Sequence, residues 1–125
     1  MTKSIIMTEK GPAAIGLYSQ GVKAGNLIFT SGQLPLNGSG ELVTDVEGAT
    51  RQALDNIKAI LEAAGSSLAN VVKTVVYLRD INDFAAMNAI YATYFPHDPP
   101  ARSALQPGRL PRDAVLEIEA VALVE

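Results

Sequence analysis

The chain contains no cysteine and no tryptophan, and its single histidine is His97. Without cysteine, disulfides, thiolate nucleophiles and thiolate-bound metals are excluded, and nothing points to an oxidising compartment, so a cytoplasmic setting is expected. One histidine gives no metal site, and none is expected. The Gly-x-x-x-x-Gly-Lys phosphate loop and the Gly-x-Ser-x-Gly nucleophile elbow are also missing. Basic clusters are absent too. Ten Lys and Arg are scattered among thirteen Asp and Glu, for a net charge of −3. Phosphate neutralisation needs clustered cations, so nucleic acid is not the expected partner. No apolar run approaches the roughly 18 residues of a membrane span, and the Met1–Met7 stretch is too short for a signal peptide.

What remains is 125 residues, 48% of them hydrophobic, enough for one domain over residues 1–125. A strand is expected at Ser4–Met7, followed by a Gly-, Pro- and Ala-rich loop from Gly11 to Tyr18. Gln20–Lys23 and Leu27–Ser31 read as a hairpin closed by Ala24-Gly25-Asn26. Thr44-Asp45-Val46-Glu47 has the form of a capping box. Val46, Ala49, Ala53, Leu54, Ile57, Ile60, Leu61 and Ala64 then recur at helical spacing up to Gly65, which predicts a helix over 45–64.

Val71–Leu78 is rich in β-branched residues and apolar on both faces, as an interior strand would be. A second helix follows Asp80-Ile81-Asn82-Asp83, with an apolar stripe of Phe84, Met87, Tyr91 and Tyr94 that Asn88 interrupts. Ser103–Gln106 and Val115–Val124 are the last strands expected. The order implies an α+β fold in which two helices cover one face of a single sheet. On the uncovered face the last strand would present Val115, Glu117, Glu119, Val121 and Leu123. Apolar bulk there marks an interface, so a homo-oligomer is expected, with Glu117 beside a subunit boundary.

The chemistry-bearing candidates lie mostly in the C-terminal quarter. Arg102 suits bidentate capture of a carboxylate; the competing reading is a structural ion pair with Glu117 or Glu119. Glu117 is either a base that holds a water or a carboxylate paired across the sheet. Tyr18 either donates into a pocket or caps the core, and Ser31 either offers a hydroxyl beside exposed amides or opens a turn. Asn88 is either a satisfied core amide or a ligand group, and His97 is expected to be solvated. An arginine, a glutamate, hydroxyls and amides suit the orientation of water against a small electrophilic acid.

Ala13-Ala14-Ile15-Gly16-Leu17-Tyr18-Ser19-Gln20-Gly21, Thr30-Ser31-Gly32-Gln33-Leu34-Pro35, Asp83-Phe84-Ala85-Ala86-Met87-Asn88, Pro100-Ala101-Arg102-Ser103 and Glu117-Ile118-Glu119-Ala120 resemble, in order, the signatures of the RidA family of reactive intermediate deaminases. The resemblance spans the chain. It implies a chorismate-mutase-like fold and a homotrimer with sites between subunits. It also implies cofactor-free hydrolysis of 2-imino acids, such as 2-iminobutanoate and 2-iminopropanoate, to 2-keto acids and ammonia.

By the same resemblance Arg102 clamps the substrate carboxylate, Glu117 attends the hydrolytic water, and Tyr18, Ser31, Gly32 and Asn88 line the pocket. Ala104 stands where many members have cysteine, which leaves its backbone carbonyl for any role there. Leu17 replaces a common proline, and the His97–Pro100 loop is shorter than in close bacterial deaminases. Two other classes compete: a non-catalytic keto-acid-binding trimer acting as a sensor or chaperone-like scaffold, and a ribonuclease or translation inhibitor.

Overall fold

The computed structural model describes residues 2–124. Six strands, β1 (Lys3–Ile6), β2 (Gly21–Ala24), β3 (Leu27–Thr30), β4 (Val71–Leu78), β5 (Ala101–Leu105) and β6 (Leu116–Leu123), form one sheet in the order β1-β2-β3-β6-β4-β5. Helices α1 (Val46–Ala63) and α2 (Phe84–Tyr94) both pack on the same side, giving the expected α+β arrangement. Four of the five pairings are antiparallel. The exception is β4 with β5, which are joined through α2 and therefore run parallel. No helix among the described residues is long and apolar enough to cross a membrane.

Helix α1 forms where the apolar period demands it, but its cap is Asp45 rather than Thr44. The chain is extended at Asp45 (φ −82°, ψ 140°), and the Asp45 carboxylate accepts from the Gly48 amide at 2.8 Å. This moves the start one residue on and leaves Glu47 a position short of closing a capping box. A carboxylate at this end also meets the positive pole of the helix. At the other end Gly65 is left-handed (φ 79°), and the amides of Gly65 and Ser66 donate to the carbonyls of Glu62 and Leu61, which closes the last turn.

The core lies between the helices and one face of the sheet. Leu54, Ile57, Ile60 and Leu61 of α1 and Met87 of α2 are fully buried against Ile28, Val76, Leu78, Leu116 and Ile118. From Leu116 on, strand β6 alternates as expected: Leu116, Ile118, Ala120 and Ala122 are buried, while Glu117, Glu119 and Val121 are half-buried on the other face; Val115, expected on that open face, instead precedes the strand and is buried in the core. That other face carries no helix. Phe29 lies beside Val121 and Leu27 beside Leu123, so a patch of apolar side chains stands open, with Phe29 43% and Leu123 41% exposed.

Strand β5 begins at Ala101, two residues before the start that alternation suggests, because its ladder with β4 opens at Lys73 opposite Ala101. The correction matters, since it puts Arg102 inside the sheet.

Candidate functional site

The direction of each candidate side chain follows from its register on β4. Thr74, Val76 and Leu78 point to the helices, whereas Val75 and Tyr77 point to the open face. Arg102 pairs with Thr74 and Ala104 with Val76, so both turn toward α2. Glu117 pairs with Tyr77 and Glu119 with Val75, so both turn the opposite way. Within one chain Arg102 and Glu117 therefore do not meet.

On the helix side, α2 receives the guanidinium. Arg102 Nη1 donates to Asn88 Oδ1 at 2.7 Å, and the guanidinium carbon lies 4.6 Å from the centre of the Tyr91 ring and 5.1 Å from that of Phe84. The Asn88 carbonyl oxygen is thus satisfied by the arginine and anchors it. Within the chain Arg102 forms no ion pair with Glu117 or Glu119: among the described residues the only salt bridge is the exposed Arg109–Asp113 pair at 3.3 Å. A guanidinium has five N–H donors, and among the described residues only the bond to Asn88 uses one. Cation–π contact satisfies its faces without consuming them, so an acid group can still reach its edge.

On the open face, the chain leaving β3 runs past Glu117. The Ser31 amide donates to the Gln20 carbonyl at 2.9 Å, and its hydroxyl donates to the Ser19 carbonyl at 2.5 Å. Gln33 then exchanges both backbone bonds with Ile118. Between them Gly32 lies so close to Glu117 that a Cβ at this position would stand 2.8 Å from the carboxyl carbon. A side chain at this position would therefore have to displace the Glu117 carboxylate. Burial, and secondarily the neighbouring charge of Glu119, push the Glu117 carboxyl above its ordinary value. Glu119 accepts from the Tyr77 hydroxyl at 2.6 Å, and that bond leads in raising the phenol to about 12.

Tyr18 does not cap the core. It is 52% exposed, its hydroxyl accepts from the Ile15 amide at 3.3 Å, and it lines a groove of about 870 Å³ beneath the 11–20 loop. Neither Arg102 nor Glu117 borders that groove, although the Ser19–Ser31 bond ties the Tyr18 loop to the Glu117 side. His97 is exposed, as expected. The candidates thus form two groups: Asn88, Arg102 and Ala104 at the β5 edge under α2, and Ser31, Gly32 and Glu117 on the open face with Tyr18 nearby.

Phe84, Tyr91, Thr74 and Tyr77 took no part in the expected site. Their signal was present in Phe84-x-x-x-Asn88-x-x-Tyr91, where an amide between two aromatics on one helix face can hold a planar cation. Reading it required knowing that β5 lies parallel to β4 beneath that face.

The family profile described as Endoribonuclease L-PSP matches residues 8–124. The chain is 54% identical to a RutC family protein of Pyrococcus horikoshii, covering 98% of this chain and 99% of the relative. It is 52% identical to the 2-iminobutanoate/2-iminopropanoate deaminase of Escherichia coli K12, covering 98% of each. The solved structure of E. coli TdcF with bound serine matches with a TM-score of 0.92 at 45% identity, over 98% of this chain and 99% of that one. The shared architecture is the chorismate-mutase-like fold.

Proposed function

The chain belongs to the RidA family, the group described as Endoribonuclease L-PSP, and on that premise we propose that it hydrolyses reactive 2-imino acids to 2-keto acids and ammonia. One observation carries the reading: Arg102 is oriented by Asn88 and two rings, while among the described residues no carboxylate pairs with it. A half-buried arginine held in one orientation is suited to a planar, bidentate acid group. The relative solved with serine holds a small molecule of that kind.

The opposed orientation of Arg102 and Glu117 is explained if each site takes its arginine from one copy and its glutamate from the next. Such a contact joins unlike surfaces and forms a ring where the rotation between copies closes, and a homotrimer is the ring proposed. The apolar patch of Phe29, Val121 and Leu123 would then be covered.

In the assembled cleft Arg102 and Asn88 fix the carboxylate of the imine, and the Gly32 amide and the Ser31 and Tyr18 region line the opposite wall. A water held by Glu117 adds to C2, and Glu117 takes its proton and returns it to nitrogen. Glu117 next carries the hydroxyl proton of the tetrahedral carbinolamine to its amine, the C–N bond breaks to release ammonia and the C2 oxygen becomes a carbonyl, so imine plus water gives keto acid plus ammonia. A carboxyl raised above its ordinary value is a better proton shuttle near neutrality than an unperturbed one. Proton transfer of this kind supplies about 10²- to 10⁴-fold, and orientation adds to it, so a readily hydrolysed imine requires no covalent intermediate. Ala104 retains a backbone carbonyl but no side-chain nucleophile.

The test is the decay of 2-iminobutanoate, made in situ by a threonine dehydratase, with and without the protein. Acceleration by wild type and its loss in Arg102→Ala support the reading; equal decay for both removes it. Keto-acid-dependent melting without ammonia release would instead indicate a carboxylate-binding module. A nucleolytic activity finds no footprint in the net charge of −3.

A further inference from the structure

The helix-covered side of the sheet is mostly apolar, and where it is polar, one buried pair of hydroxyls stands beside Arg102. Thr74 is 1% exposed and Tyr91 4% exposed, among Val76, Leu78, Met87 and Ala120. Their hydroxyls lie 2.7 Å apart. Burial raises the Tyr91 hydroxyl above its ordinary value despite the Thr74 bond and the Arg102 charge, so it stays protonated. A valine and a phenylalanine would fill the same volume, and replacing both partners of a buried hydrogen bond is close to neutral for stability. The pair is therefore poorly explained by stability alone.

Its placement suggests another role. Thr74 is the residue beside Arg102 in the parallel β4–β5 ladder. The Arg102 guanidinium lies over the Tyr91 ring at 4.6 Å, and the Tyr91 hydroxyl returns to Thr74. The chain thus makes a closed circuit: strand β4, strand β5, guanidinium, aromatic ring, hydroxyl, and β4 again. Phe95, 4.7 Å from Tyr91 between ring centres and tilted by 42°, limits the ring from behind. Arginine loses rotamer freedom when it is fixed, and a fork must be coplanar with the carboxylate it grips. A ring pinned to the neighbouring strand fixes that plane, and Asn88 fixes rotation within it.

We propose that Thr74 and Tyr91 are positioning residues for the Arg102 guanidinium, acting through the Tyr91 ring and selecting ligands whose acid group is planar. The inference rests on the carboxylate-clamp reading above. It touches no reacting atom.

The experiment compares wild type, Thr74→Val, Tyr91→Phe and Thr74→Val/Tyr91→Phe in thermal melting and in 2-iminobutanoate hydrolysis, with Arg102→Ala as control. Each single variant leaves one buried hydroxyl unpaired and should melt lower, whereas the double variant should recover most of the loss. A purely structural pair would recover activity together with stability. A positioning pair would not: the double variant should keep a KM raised about five- to tenfold, with kcat within about twofold of wild type. A double variant that matches wild type in both stability and KM overturns the proposal while leaving the clamp intact, provided Arg102→Ala is still inactive. If wild type itself does not accelerate hydrolysis, the functional reading fails first, and the melting shift produced by 2-ketobutanoate then measures the clamp directly. Equal shifts for wild type and the double variant in that assay also overturn the positioning role.

Discussion

Arg102 and Glu117 occupy opposite faces of one sheet, the first registered on Thr74 and the second on Tyr77 three residues further along the same strand. An odd step along a strand reverses the side of the sheet, so no rotamer change brings the guanidinium of a chain onto its own Glu117 carboxylate. If both groups act on one ligand, two copies must supply them. Arg102→Ala and Glu117→Gln should then each be inactive alone but active after being unfolded and refolded together. With random mixing, about a quarter of the sites receive an intact arginine and an intact glutamate, so about a quarter of wild-type activity should return. Mixed oligomers with no activity would place both groups in one chain's site and contradict the register.

The planar fork of Arg102 leads to a second expectation. Lysine keeps the charge but loses both the parallel pair of N–H donors and the flat surface that rests on Tyr91 and Phe84. Arg102→Lys should raise KM by roughly 10- to 100-fold, about 1.4 to 2.8 kcal/mol of lost binding. Saturation kinetics with 2-iminobutanoate would check this, and an unchanged KM would mean that a point charge suffices.

Gly32→Ala separates packing from function. The Gly32 φ lies outside the left-handed region, so alanine is permitted by the backbone, but its Cβ would fall 2.8 Å from the Glu117 carboxyl carbon and 2.9 Å from Oε2. The glutamate tip can swing away at little cost to the fold. Melting should change by a few degrees at most, about 1 kcal/mol or less for a domain of this size, while kcat/KM falls on the order of 10²-fold as the carboxylate is displaced. An active Gly32→Ala variant would show that the position of Glu117 is not critical.

Much of this fold was legible in the residues. The α1 period, the β-branched density of Val71–Leu78 and the alternation of Leu116–Leu123 each carry a physical signal local to the segment, and each element appears where that signal lies. Boundaries were less legible, because Asp45 and Thr44 are both competent caps and only the backbone conformation at Asp45 decides between them. Arg102, Asn88 and Glu117 were identifiable as polar groups intruding on apolar patterns. Their separation into two groups was not, since it depends on the pairing of β5 with β4 and of β6 between β3 and β4, contacts between segments distant in the chain. The same is true of Tyr91, which looked like one more apolar stripe residue until Thr74 was opposite its hydroxyl.

The raised Glu117 carboxyl has a sign that can be measured. Burial first, and the Glu119 charge second, make the folded protein hold this proton more tightly than the unfolded chain, whose carboxyl titrates near 4.5. Where the folded state binds more protons, stability falls as pH rises, so this group lowers stability progressively from about pH 4.5 up through its raised value and no further beyond it. Glu117→Gln removes that contribution. Its melting temperature relative to wild type should climb across the same window and then level off, while the two proteins converge below pH 4.5, where both positions are neutral. Activity should move oppositely, because the proton-accepting form of Glu117 is the ionised one: the acid limb of the wild-type kcat/KM profile should lie above 4.5, and Glu117→Gln should be inactive on both sides of it. A melting difference independent of pH would mean that Glu117 titrates as an ordinary exposed carboxylate, and an active Glu117→Gln variant would take the proton transfer away from this residue.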